Sequence, residues 1–151
     1  MTVLEAEVVK SVRAPIDPAF VRDVLTRVLG VPEIAARLPE GTSTVAVRIA
    51  SDREVRRLNR TYARDDHATD VLSFAGSGNH IGDVAISWPA AMRQAAQHGH
   101  EARTEVALLC VHGTLHLLGW DHVSASERRE MTRLTRAALK LSGLKLAPGR
   151  L

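Results

Sequence analysis

The stretch TEVALLCVHGTLHLLGWDH, residues 104–122, constrains this chain more than any other. It reads as one long apolar helix from about Thr104 to Leu118, stopped by Gly119. Val106 to Val111 is the longest uninterrupted apolar run, six residues. Crossing a bilayer takes about 20, so this helix belongs in a protein core and no membrane partner is expected. His112 and His116 are four residues apart on that helix. At 3.6 residues per turn they share a face, about 6 Å apart along the axis. That spacing lets two imidazoles converge on one metal ion. Glycine accepts the left-handed conformation a sharp reversal needs, so Gly119 can turn the chain back and present His122 as a third ligand. Three histidines leave one tetrahedral position for water, which is the arrangement of a catalytic zinc, one per chain.

A histidine pair at this spacing also arises by chance, and a lone histidine on an apolar helix face is usually a satisfied core residue. Here three histidines and a glycine at the reversal coincide within eleven residues, while four of the seven histidines lie elsewhere. Those four, His67, His80, His98 and His100, fall near predicted loops or helix ends and need no metal. Cys110, the single cysteine, excludes an internal disulfide and fits a reducing cytoplasm. It lies two residues before His112 and so points about 200° away, which makes it a buried thiol and not a fourth ligand. Zinc peptidases of the metzincin type carry glutamate directly after the first histidine as general base. Gly113 stands there instead, and a glycine can neither take nor return a proton. A metzincin-like metal helix without that glutamate tilts from peptide hydrolysis toward another hydrolysis, such as that of a phosphodiester.

The surrounding chain reads as an α+β fold, a mixed four-stranded sheet covered by helices. Val3–Lys10 is a first strand candidate. Asp17-Pro18 opens a helix with Val21, Val24, Leu25 and Val28 at helical spacing, and Ile34–Leu38 suggests another helical turn. Thr44–Ala50 alternates as a half-buried strand with Val45, Val47 and Ile49 inward. Ser51 and Glu54 form a capping box for a helix whose apolar stripe is Val55, Leu58 and Tyr62. Val71–Phe74 and Ile81–Ile86 are two further strands joined by AGSGN. Ser87 caps a helix that Gly99 ends, and Ser124 with Glu127 caps the last one, which ends near Gly143. The 151 residues fit one domain, residues 1–151, able to bury roughly 68–70% of the unfolded surface without disulfides. The first ten residues, MTVLEAEVVK, lack the apolar core of a secretory signal.

A formal net charge of +3 is too mild to establish a nucleic-acid partner. Position says more. Arg53, Arg56, Arg57, Arg60 and Arg64 line one predicted helix and its exit, with Arg56, Arg60 and Arg64 four apart. A solvated helix face explains any one of them; five within twelve residues favour a phosphate track, with Arg56 and Arg60 as substrate-binding candidates. Aromatic residues are scarce, so a base-stacking platform is not expected, and Trp120 reads as a lid over the reversal. Asp70 can orient a ligand histidine or cap the turn into its strand. Asp121, beside His122, has the same two readings and a water-positioning role as a third.

HGTLHLLGWDH, residues 112–122, resembles the signature of the YbeY family of bacterial metal-dependent endoribonucleases. LNRTYARDDHATDVLSF, residues 58–74, is similar to that family's other signature, and Ile81-Gly82-Asp83-Val84 to its short Gly-Asp strand. The resemblance covers about residues 44–140. It implies an α+β fold, zinc held by His112, His116 and His122, and cleavage of single-stranded ribosomal RNA in small-subunit (16S) rRNA maturation and ribosome quality control. Ribosomal RNA and ribosomal subunits are the implied partners. The family places an arginine directly after the tyrosine of the second signature; this chain has Ala63 there and Arg64 one residue on. Arg64 is therefore the candidate catalytic arginine, with Asp121 as the acidic candidate. Two other readings stand beside this one: a zinc metallopeptidase with an atypical general base, and a non-catalytic ribosome-assembly factor with a structural zinc.

Overall fold

The computed structural model describes residues 1–63 and 69–151. Four strands, β1 (Thr2–Lys10), β2 (Gly41–Ala50), β3 (Val71–Ala75) and β4 (His80–Ser87), form one mixed sheet in the order β1-β2-β4-β3. β1 runs parallel to β2, and β2 parallel to β4. The 30 or so residues between β1 and β2 supply the crossover that a parallel pair requires. β3 and β4 are antiparallel, with Val71 opposite Ile86 and Ala75 opposite Gly82, as a short hairpin connection dictates.

The alternation read in β2 is the inner face of the sheet. Val45, Val47 and Ile49 are buried, and Val84 and Ile86 of β4 extend that face. β2 begins three residues earlier than the alternation suggested, because Gly41–Ser43 already pair with Thr2–Leu4. Between β2 and β4 the register slips at Thr44/Val45, so that Ile81 bulges. Gly82 follows the bulge at φ 151°, where a Cβ would meet the Phe74 carbonyl oxygen at 2.3 Å and Leu117 Cδ2 at 2.6 Å. The glycine of the Gly-Asp strand thus allows β3, β4 and the central helix to close on one another.

Helix α1 (Pro18–Arg27) starts as its sequence signals: the Asp17 carboxylate accepts from the Ala19 N–H, and proline takes the first helical position. Its valines and Leu25 pack on the sheet's inner face. α2 (Pro32–Ala35) is one turn, beginning two residues before the expected Ile34 because Pro32 presets the first helical φ. α4 (Trp88–His98) is capped by the Ser87 hydroxyl and ended by Gly99 at φ 75°. α5 (Ala102–Leu117) is the central helix. It is buried on every side from Thr104 to Val111 by the sheet, α1, α4 and α6 (Ala125–Lys140). A helix apolar all round belongs in such a place. No helix among the described residues is long and apolar enough to cross a membrane.

The helix after β2 departs from its sequence reading. α3 (Asp52–Leu58) is capped by the Ser51 hydroxyl, which accepts from the Glu54 N–H. The Glu54 carboxylate does not return to Ser51; it accepts from the Ser11 hydroxyl at 2.9 Å and the Arg48 guanidinium at 3.2 Å. From Asn59 to Ala63 the helix widens into a π turn. The wider turn carries Tyr62 out of line with Val55: Val55 is buried, Tyr62 is 67% exposed, and Asn59 is buried instead. Tyr62 keeps an edge contact with the Phe74 ring at 5.7 Å.

Candidate metal centre

His112 and His116 project from the last turns of α5. Their Nε2 atoms lie 3.1 Å apart. Leu118 ends the helix, Gly119 reverses the chain at φ 97°, and His122 folds back over the two rings. One ligating nitrogen from each of the three histidines lies within 4.8 Å of the others, so the group can hold one metal ion. The ring centroids are 4.7, 5.0 and 5.7 Å apart.

The reversal is fixed from outside the motif. The Arg37 guanidinium stacks 3.7 Å over the Trp120 ring and donates to the Leu118 carbonyl at 3.2 Å. Trp120 is buried, and its indole N–H donates to Glu130 of α6 at 3.1 Å. It is therefore a lid over the reversal and offers no face for a base. Sequence reading did not find Arg37: 81 residues separate it from Leu118. Arg37→Ala removes a stacking contact worth roughly 0.5–2 kcal/mol and one helix-end hydrogen bond. The expected outcome is a several-fold weaker metal affinity with the fold retained, measured by chelator competition and circular dichroism.

β3 forms the opposite wall. Val71, Leu72, Ser73 and Ala75, with Thr69, Asp70 and Leu117, enclose a cleft of about 580 Å³ over the three histidines. The Ser73 hydroxyl donates to the Gly113 carbonyl at 3.0 Å and ties this wall to the metal helix. Gly113 itself faces the sheet: a Cβ there would lie 2.8 Å from Val84 Cγ1 and 3.0 Å from Ser73 Oγ. The position that carries the glutamate of zinc peptidases is filled by the sheet.

Burial, reinforced by charge on His116 and His122, pushes the His112 imidazole down from its ordinary 6.5 to about 4. His116 is shifted down by burial and then by His122. The pair is thus held neutral, as metal ligation requires. Because the folded pKa is depressed, the unfolded chain takes up protons first as pH falls below 6.5. The metal-free protein is expected to lose about 2 kcal/mol of stability from His112 alone between pH 7 and pH 5. Urea unfolding of chelator-treated protein at the two pH values measures this, and a flat or rising midpoint contradicts it. Cys110 is fully buried, and burial pushes its thiol up to about 12. It is no ligand.

The other candidates are placed less centrally. The Asp121 carboxylate accepts from the His122 N–H at 2.7 Å and lies 4.0 Å from His122 Nδ1. It does not line the cleft. Arg64 and His67 lie outside the described residues. Arg56 and Arg60 share an exposed groove of about 510 Å³ with Arg53 and Arg57, Ser51 and Glu54. Asp70 both lines the cleft and accepts from the Gln94 side chain at 3.1 Å.

A mixed sheet backed by a buried helix that ends in a three-imidazole cradle defines an α+β fold with a candidate metal site and without the zinc-peptidase base. Comparison with known proteins narrows this class. The family model "Endoribonuclease YbeY" matches residues 9–143. An endoribonuclease YbeY from Roseiflexus castenholzii is 36% identical over 154 residues, covering 92% of this chain and 94% of that protein. Another from Chloroflexus aurantiacus is 45% identical over 100 residues, 58% of this chain and 64% of that protein. The solution structure of TM1509 from Thermotoga maritima shares the fold with a TM-score of 0.60 at 18% identity, over 95% of this chain and 98% of that one. The chain belongs to the YbeY endoribonuclease family.

Proposed function

We propose that this chain is a zinc-dependent endoribonuclease that cleaves single-stranded ribosomal RNA during small-subunit (16S) rRNA maturation and ribosome quality control in the cytoplasm. The observation that carries the reading is the three-histidine group of converging imidazoles with Gly113 packed against Val84 and Ser73. His112, His116 and His122 would hold the ion. Three nitrogen donors suit zinc, which supplies Lewis-acid chemistry at a phosphodiester. The chain's own residues do the rest. β3 and Leu117 wall the cleft and restrict how a strand enters it. Arg56 and Arg60 bind the phosphate backbone as it approaches from α3, where a fork of donors matches phosphate oxygens. Arg64, which follows the π turn in sequence, supplies positive charge to the phosphorane-like transition state. Asp121 sits beside His122 and serves as the acidic group.

The metallopeptidase reading needs an atypical general base, because the sheet fills the place beside His112 where zinc peptidases carry theirs. The assembly-factor reading needs a closed metal site, whereas the histidines open onto the cleft.

The test is metal removal. Chelation is expected to abolish cleavage of a single-stranded ribosomal RNA fragment, and one equivalent of zinc to restore it, with a peptide library left intact throughout. Cleavage that survives complete zinc removal, or peptide hydrolysis that returns with zinc, overturns the proposal.

A further inference from the structure

α5 carries one acidic side chain into the core. Glu105 is fully buried, one turn into the helix and just before its apolar run. Arg150 answers it: Nε donates to Oε1 at 3.0 Å and to Oε2 at 3.2 Å, and the amino group NH2 also donates to Oε2. His100 completes the cluster. Its Nδ1 accepts from the Ala147 N–H at 3.4 Å, which places the ring proton on Nε2, 2.7 Å from Glu105 Oε1. Burial would raise the Glu105 carboxyl, but the hydrogen bonds from Arg150 and His100 outweigh it and hold the group below its ordinary value.

Such a buried pair is seldom the best way to stabilise a core. Apolar residues of equal volume often do as well or better. What the pair does here is aim a further hydrogen bond. The same Arg150 amino group donates to Gln94 Oε1 at 3.2 Å, and Gln94 Nε2 donates to Asp70 Oδ2 at 3.1 Å. Arginine has only donors, so the Gln94 carboxamide must turn its oxygen to Arg150 and its amino group to Asp70. The direction of the chain is thereby fixed, from Arg150 through Gln94 to a carboxylate on the wall of the metal cleft. Asp70 lines the same cleft as His112, His116 and His122.

We infer that Gln94 is a positioning residue for the metal centre, set by the buried Glu105–Arg150 pair and holding the Asp70 carboxylate beside the histidine cradle so that its charge favours a bound cation. The inference rests on the metal reading given above. Groups that orient a ligand set typically change metal affinity 10–100-fold when removed.

A double-mutant cycle on the full chain tests it, read by the zinc dissociation constant in competition with a chromophoric chelator. Gln94→Leu is expected to weaken zinc binding about tenfold. Asp70→Ala is expected to weaken it by at least as much, and Gln94→Leu to add nothing in the Asp70→Ala background. Gln94→Glu keeps the side-chain volume and the acceptor toward Arg150 but turns an oxygen on Asp70. It is expected to weaken zinc binding like Gln94→Leu, and it stands in should the leucine variant fail to fold. A Gln94 with a merely structural role would lower the urea midpoint and leave the zinc constant unmoved. An unchanged constant in the Gln94 variants, or losses that add in the double variant, overturns the inference alone. A wild-type chain that takes up no zinc overturns the metal reading, and this inference with it.

Discussion

His116→Ala is expected to strip zinc from the chain and to abolish cleavage of single-stranded RNA. His116 is the middle histidine of the group: its Nε2 lies 3.1 Å from that of His112, and its ring centroid is 5.0 Å from that of His122. Without it, two nitrogens on different segments remain, one on α5 and one beyond the reversal. Two imidazoles held apart bind a divalent ion far more weakly than three held together, and a loss beyond about 100-fold is expected. Zinc content after dialysis should fall from one per chain to near zero. The fold should persist, because His116 is only partly buried and its removal leaves the core around Val106–Val111 intact. Mass spectrometry of the metal, circular dichroism and cleavage of one RNA fragment by both proteins check the three statements. Zinc-free His116→Ala that still cleaves would show that the histidines do not carry the reaction.

Gly113→Glu, which would restore the zinc-peptidase sequence HExxH, is expected to cost more than about 3 kcal/mol and to yield no peptidase. The first added carbon already falls 2.8 Å from Val84 Cγ1. Overpacking a well-filled core costs typically 1–3 kcal/mol. Gly113→Ala shows that part alone, offset by the roughly 1 kcal/mol that alanine gains over glycine in a helix interior. Glutamate adds a carboxylate driven against Val84 and Ser73 of the sheet, and burying a charge costs several kcal/mol more. Urea midpoints of the two variants measure the costs. A Gly113→Glu protein as stable as wild type, or one that hydrolyses casein, would show that the helix can move off the sheet.

The parts of this molecule that depend on neighbours in sequence were legible. The α5 helix, its stop at Gly119, the caps at Asp17, Ser51, Ser87 and Ser124, and the alternation of β2 are all local signals, and each lies where the residues indicated. The convergence of three histidines was legible for the same reason, since they span eleven residues. Tyr62 was misjudged because a stripe at helical spacing assumes an α-helix, and the chain widens into a π turn at Asn59. Glu54 was misjudged because two side-chain donors, Ser11 from 43 residues away and Arg48 from β2, take its carboxylate in place of the local amide. Arg37 and Arg150 were not found at all. Their partners lie 81 and 45 residues away, and spacing carries no information at that range. Glu105 did leave a trace: a lone acid beside an apolar run on a helix destined for the core must find a cation, although the sequence does not say which.

His112 and His116 stand on a helix locked in the core, whereas His122 stands on a reversal that is itself exposed at Gly119, Asp121 and His122. The cradle is therefore hinged. An ion held there would be released by lifting one surface segment, while α5 and the sheet stay folded. Exchange of the ion is then governed by the free energy of a local opening, far smaller than that of global unfolding. The grip of Arg37 and Glu130 on Trp120 is then expected to set how long an ion held by the three histidines would stay.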